Sequence, residues 1–450
     1  MIQLLLLIIL VCVCAVIYLL GDRDPLAPAF LFALGFAACA FSAVCFSSRW
    51  AYEMSPEMFF VILSGVLMFA VVAYFCQSFK IKPRTKRKKR ASRHWELPVN
   101  RGLLFAFLVL EGGVLCWSLW EIVNTFPAES MSRSIGLYNT AVKFTDEGAD
   151  IFKTPLSQLR SFCSMVGYVF AFYVAQSFAL KKRFGRTVQI CGLLVACLLQ
   201  LASANRTIAV GYIFCSLIAY FVIKRKLNHD RPVIGMRTTL ALVAVVLCFI
   251  VSFQTVAEVL QGRSTSSDAL GYLSAYIGAQ FPNLDTFIHA QDGYGNSGVF
   301  GYMTFRNSIR WIGLQFGISE FVYQYDLPFN SINGVSTGNV YTTFYAFLYD
   351  FGFAGCIVLT GIMAAISQIV YKKSRALESG LLSGFWIIIY TMIAYALVLC
   401  FFSNKFYENI LTIGMIYKVI YLLIIFWLIN VVAKRKKRAI SVGRRDPWRA

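Results

Sequence analysis

Residues 58–90 read MFFVILSGVLMFAVVAYFCQSFKIKPRTKRKKR. The first part, Met58–Cys76, carries no charge and is apolar almost throughout. A helix needs about 20 such residues to cross the hydrocarbon core of a bilayer. Within that core a helix satisfies its own backbone, which an open chain cannot do. Lys and Arg then crowd the stretch up to Arg90, ending in the run Lys86-Arg87-Lys88-Lys89-Arg90. Basic residues of this kind stay on the cytoplasmic side of a span. The stretch therefore reads as a transmembrane helix that runs into a cytoplasmic loop.

The same pattern recurs along the chain. Ten more apolar stretches are long enough to be spans: Ile2–Leu20, Ala29–Phe46, Leu103–Trp120, Phe162–Leu180, Val188–Ala202, Thr207–Ile223, Thr238–Val256, Phe351–Tyr371, Leu381–Phe402 and Ile410–Val432. Val188–Ala202 is short, as a thin or tilted span would be. Composition agrees. Of the 450 residues, 58% are hydrophobic and 14% charged, and the mean hydropathy is +0.65. Soluble globular chains hold about 25% charged residues and about 45–50% apolar ones. A soluble enzyme, a disordered chain and a collagen-like chain are excluded. The expected fold is all-α: a polytopic membrane protein, one transmembrane domain over residues 1–450, with about eleven helices.

The net charge of +20 follows topology rather than a nucleic-acid surface. Segments 21–28, 77–102, 181–186, 224–237, 371–379 and 433–450 hold 31 of the 42 Lys and Arg residues. They are alternate loops, so all of them are expected in the cytoplasm, with the N-terminus outside and the C-terminus inside. Met1–Leu20 lacks a basic start and a small-x-small cleavage site, and reads as a retained span rather than a signal peptide. The 13 cysteines fall within or beside apolar spans, with no metal-ligand spacing and no disulfide framework.

Two long loops fall on the extracytoplasmic side, 121–161 and 257–349, and long loops are where function tends to reside. The second shows helical spacing in Ser267–Gln280, Leu284–Ala290 and Tyr302–Val322. In the last, Phe305, Ile309, Ile312 and Phe316 recur at steps of four, three and four. Basic residues are scarce on this side, so its arginines are informative. They are Arg206 in a tight Asn-Arg-Thr turn, Arg263 in Gly262-Arg263-Ser264, and Arg306 and Arg310 on one helix face. Guanidinium groups bind phosphate oxygens in pairs and do not lose their charge. As a set they fit a lipid-linked diphosphate. The alternative is contact with lipid headgroups, or pairing with Glu258, Asp268 or Glu320.

The possible proton acceptors are Asp350, His289 and Asp285, in that order. Asp350 stands at the outer mouth of the ninth span, where it could equally anchor a helix end. Asp285 and His289 are one turn apart, and His289 also fits a surface role. Among many loop aromatics, Tyr272, Tyr276 and Tyr341 are candidates for stacking on sugar rings, against the alternative of an interfacial aromatic belt. Glu111 and Lys418 lie within spans. They would serve as a structural pair between spans four and eleven, or as a proton relay. No phosphate-binding loop or HExxH motif is present, and no metal or cofactor is expected.

The span count, the large outer loop before the last three spans, the Asn-Arg-Thr turn, Gly262-Arg263-Ser264 and the segment Gly338-Asn339-Val340-Tyr341 to Tyr349-Asp350-Phe351-Gly352 together resemble the bacterial oligosaccharide repeat-unit polymerases (Wzy type). O-antigen ligases have a similar layout, and a lipid-linked oligosaccharide flippase is a further alternative. The resemblance implies a metal-independent glycosyltransferase in the bacterial plasma membrane. It would join undecaprenyl-diphosphate-linked oligosaccharides on the outer face into O-antigen, capsule or exopolysaccharide. It implies substrate-binding roles for Arg206, Arg263 and, less directly, Arg306 and Arg310. The expected partners are the lipid-linked oligosaccharides, the bilayer, a chain-length regulator and a flippase, with no nucleic acid.

Overall fold

A computed structural model describes residues 1–21, 23–79, 97–144, 154–203, 205–228, 277–290, 298–322, 327–376 and 380–442. The chain is an all-α polytopic membrane protein. Among the described residues, nine helices are long and apolar enough to cross a membrane, and a tenth apolar helix, Arg186–Ala202, has 17 residues. The expected span 238–256 lies outside the described residues.

In chain order the helices are α1 (Ile2–Leu20), α2 (Pro28–Cys45), α3 (Ser47–Trp50), α4 (Pro56–Ser78), α5 (Arg101–Thr125), α6 (Met131–Phe144), α7 (Thr154–Ala179), α8 (Arg186–Ala202), α9 (Arg206–Leu227), α10 (Gln280–His289), α11 (Arg306–Phe316), α12 (Ser319–Val322), α13 (Thr343–Arg375), α14 (Gly380–Val398), α15 (Lys405–Asn409) and α16 (Ile413–Val442). Local chemistry sets several boundaries. Ser55 caps α4 by accepting from the Met58 amide, with Pro56 at the first helical position. Asn100 caps α5 at Leu103 in the same way. Gly352 sits at φ +62 and ψ −158 inside α13, a conformation that side chains with a Cβ avoid, and it kinks that helix just after Asp350.

The single domain expected from the sequence resolves into two compact units. One comprises Met1–Thr85, Ser266–Lys373 and Met392–Ile416. The other comprises Lys86–Thr265, Ser374–Thr391 and Tyr417–Ala450. The reason is local: α1, α2 and α4 pack among themselves, and so do α5, α7, α8 and α9.

In the first unit, α2, α4 and α13 close over an aromatic core. Phe32 stacks on Phe69 with ring centroids 4.4 Å apart, and Phe36 meets Phe344 at 5.4 Å. Gly65 makes this approach possible, since a Cβ there would lie 2.1 Å from the Phe344 ring. One end of this unit gathers basic-loop residues. Buried Asp24 accepts a hydrogen bond from the Tyr371 hydroxyl, and Lys372 donates to the carbonyls of Cys76, Gln77 and Phe79.

In the second unit, Leu97 exchanges two hydrogen bonds with the Gln176 side chain, at 3.0 and 2.9 Å. Lys226 there donates to the Ala376 carbonyl and the Ser383 hydroxyl, at 3.2 and 2.6 Å.

The long loop before α13 contains an element that helical periodicity did not predict. Strands β1 (Asn330–Ile332) and β2 (Val335–Gly338) pair antiparallel. Their turn is Asn333-Gly334, with φ +48 and +77, the conformation of a two-residue hairpin loop. The Asn333 side chain donates to the Trp50 carbonyl at 2.6 Å.

Candidate functional site

The site is built from α11, the first turns of α13 and the short α15, all in the first unit. Helix α11 forms within the predicted stretch 302–322, but its buried face is narrower than the spacing implied. Ile309 and Gly313 are buried, whereas Phe316 is exposed. The helix stops at Gly317, and α12 folds back onto Gly313 in the space a Cβ would occupy. That return covers Gly313 rather than Phe316.

A small cleft, with an internal volume of about 10 Å³, opens beside this helix. Arg306, Tyr341, Tyr345, Ser403, Asn404 and Glu408 supply its polar lining, with Met303, Leu327, Thr342 and Ala346 between them. Arg306 Nε stands 3.6 Å from Glu408 Oε1, and Lys405 Nζ stands 3.0 Å from Glu408 Oε2. Burial favours the protonated form of Glu408, but Lys405 and Arg306 outweigh it and hold the carboxyl below the usual glutamate range. The backbone around these groups is fixed by side chains. Asn307 donates to the Glu408 carbonyl at 2.7 Å, and Asn404 joins the Thr304 carbonyl to the Thr343 hydroxyl at 3.1 and 3.0 Å.

One wall is aromatic. It is formed by Tyr341 and Tyr345, with ring centroids 4.4 Å apart, and Tyr349 continues the stack beyond the cleft at 6.2 Å from Tyr345. Phe287 of α10 packs on Tyr345 at 4.4 Å. The Tyr341 hydroxyl donates to the Pro328 carbonyl at 3.0 Å, and burial pushes its phenol up to about 12. It therefore stays neutral and can only act through hydrogen bonding and its ring face.

Of the residues singled out from sequence, Arg306 and Tyr341 share this cleft. Asp350 supports it from behind. Its carboxylate accepts the Met303 amide at 3.1 Å and the Thr304 amide at 2.6 Å, fixing the turn that launches α11. This is the anchoring alternative raised for Asp350. Arg310 lies one turn beyond Arg306, half-buried, and its Nε makes no hydrogen bond among the described residues. Arg206 opens α9 in the second unit. Arg263, Tyr272 and Tyr276 lie outside the described residues, as do Glu258 and Asp268. Arg306 pairs with Glu408 rather than Glu320.

Asp285 and His289 occupy a different place. Asp285 is buried and accepts from Tyr52 Oη (2.6 Å), the Ser55 amide (2.9 Å) and Ser55 Oγ (2.5 Å). Burial first, and then Asp285, push the Tyr52 phenol far up, so it remains a donor. His289 is 55% exposed, with Nδ1 3.3 Å from Asp285 Oδ1 and Nε2 3.7 Å from Glu57 Oε2. This cluster ties the segment before α4 to α10.

The residues missed from sequence are Ser403, Asn404, Lys405 and Glu408. A signal was present. Lys405 is one of few basic residues assigned to the outer side, and Glu408 follows it at i+3 in a turn too short to hold a domain. Comparison with protein-family models, curated proteins and solved structures gives no match.

Proposed function

We propose that the protein is a membrane glycan polymerase that joins lipid-diphosphate-linked oligosaccharide repeat units at this cleft. The observation that carries the reading is the cleft's chemistry. A guanidinium on the cleft wall shares one carboxylate with the neighbouring ammonium of Lys405, and the rings of Tyr341 and Tyr345 line the same cleft. Sugars offer apolar C–H faces to such rings, and a diphosphate offers oxygens to a guanidinium.

In the reaction, an acceptor hydroxyl attacks the anomeric carbon of the donor glycan. The new glycosidic C–O bond forms as the bond to the diphosphate breaks, and the bonding pair leaves on the phosphate oxygen. Arg306 and Lys405 neutralise that developing charge. The hydroxyl proton passes to a carboxylate. Glu408 lines the cleft and is held ionised, so it takes this role in preference to Asp350 and Asp285, which do not line it. Arg206, Arg263 and Arg310 would bind other parts of the lipid-linked substrates.

Reconstitution tests the reading. Purified protein with lipid-diphosphate-linked repeat units should give a ladder of glycan lengths on a gel. Arg306→Ala should slow it by about 10²–10³, the cost of losing one fixed transition-state partner. Arg306→Lys should recover little, because it lacks the fork. Wild-type protein that makes no ladder refutes the activity. A normal ladder from Arg306→Ala refutes the site.

A further inference from the structure

The second unit encloses a carboxyl that the cleft chemistry does not use. Glu111 lies near the middle of α5, a candidate span whose buried face is Leu104, Phe107, Glu111, Val114, Ser118 and Ile122. Its side chain is wholly buried, and neither carboxyl oxygen has a hydrogen-bond partner among the described residues.

The groups that face it come from three helices. Cys163 of α7, Cys197 of α8 and Tyr212 of α9 lie within its electrostatic reach. The Tyr212 hydroxyl is committed to the Ser164 carbonyl at 3.0 Å. Just along the same face, Val114 packs with Leu156, Cys163 and Leu199. Helix α6 meets α5 further on, through Ile135 and Tyr138 against Ile122. Arg160, one turn before Cys163, bonds to Tyr138. Lys418 makes no ion pair with Glu111, so the structural pair is not formed among the described residues. An ionised carboxylate in such a place would have neither solvent nor a counter-ion among the described residues, and a group so placed takes up a proton instead.

We propose that Glu111 is a proton-binding site inside the membrane. It is a carboxylic acid that keeps its proton at neutral pH and releases it only when water or a cation enters between α5, α7 and α8. The ligand is the proton itself. Its exchange is tied to the opening of this helix packing, and the site is independent of the proposed glycan chemistry.

The test uses the full chain in phosphatidylcholine vesicles. At neutral pH the infrared spectrum should show the C=O stretch of a protonated carboxylic acid that Glu111→Gln lacks. The glutamine keeps the shape and neutrality of the protonated acid, so thermal unfolding should be unchanged. Identical spectra, or a Glu111 band that titrates away below neutral pH, would overturn the proposal. A second measurement needs only the wild type. Dicyclohexylcarbodiimide, which adds to protonated carboxyls in apolar surroundings, should modify Glu111 at neutral pH where a water-soluble carbodiimide does not. An unmodified Glu111, or equal modification by both reagents, contradicts the assignment.

Discussion

Glu408 sits where two opposed effects meet. Burial favours its neutral form, while Lys405 and Arg306 favour its charge and win. Its folded-state value is therefore lower than in the unfolded chain, about 4.3. The resulting stabilisation is fully present above that unfolded value and disappears as pH falls through the lowered one. The melting temperature in detergent should be insensitive to this group from about pH 5 to 8 and fall below about pH 4. Glu408→Gln should remove part of that acid limb and lower the melting temperature at neutral pH, where two cations lose their counter-ion. Asn283 makes a second single-residue test. It is fully buried, and its amide donates to the carbonyls of Val340, Thr337 and Gly338 at 2.8, 3.3 and 3.4 Å. Asn283→Ala should cost about 1–3 kcal/mol, the range for leaving buried partners unsatisfied. Thermal unfolding measures it.

Helix α13 joins the cleft to the membrane span. Its first turns carry Tyr345 and Tyr349, Asp350 holds the start of α11, and the kink at Gly352 turns the chain into the long apolar run that follows. The backbone there is one that only glycine occupies readily. Gly352→Ala should destabilise the protein by about 1–3 kcal/mol. It should also reduce activity in the reconstituted assay, because any shift of Asp350 moves the turn before Arg306. A melting curve and a glycan ladder read the two effects separately. At this scale the sequence was legible where the spacing was regular. Helices α1, α2 and α4 follow from near-continuous apolar runs, α5 from an apolar run broken by Glu111, and α11 from the steps between Phe305 and Ile312. The hairpin was missed in spite of its Asn333-Gly334 signal, since its strands are only three and four residues long and show no clear alternation. Lys405 and Glu408 were passed over because a turn of so few residues offers no period to read.

For the whole molecule, alternating basic and non-basic loops set an expected sidedness. Single cysteines placed near Arg90 and near Lys436 should react with a membrane-impermeant reagent only after the cells are opened. A cysteine at Asn330 should react in intact cells. The reverse pattern would invert the topology and remove the outer-face reading of the cleft. The division into two units had no sequence signature. No linker or change in composition marks it, and each unit is assembled from three separated stretches of chain.

By itself, the sequence determined that this chain lives in a bilayer as a bundle of helices. Transfer free energy adds up residue by residue along a segment, so a long apolar run commits to a span wherever it lies. What only the tertiary structure decided is which of the scattered polar residues meet. Arg306 faces Glu408 across about a hundred residues of sequence, and Asp285 accepts hydrogen bonds from Tyr52 and Ser55. Those pairings depend on how helices distant in the chain pack side by side, and composition or periodicity carries no record of that contact.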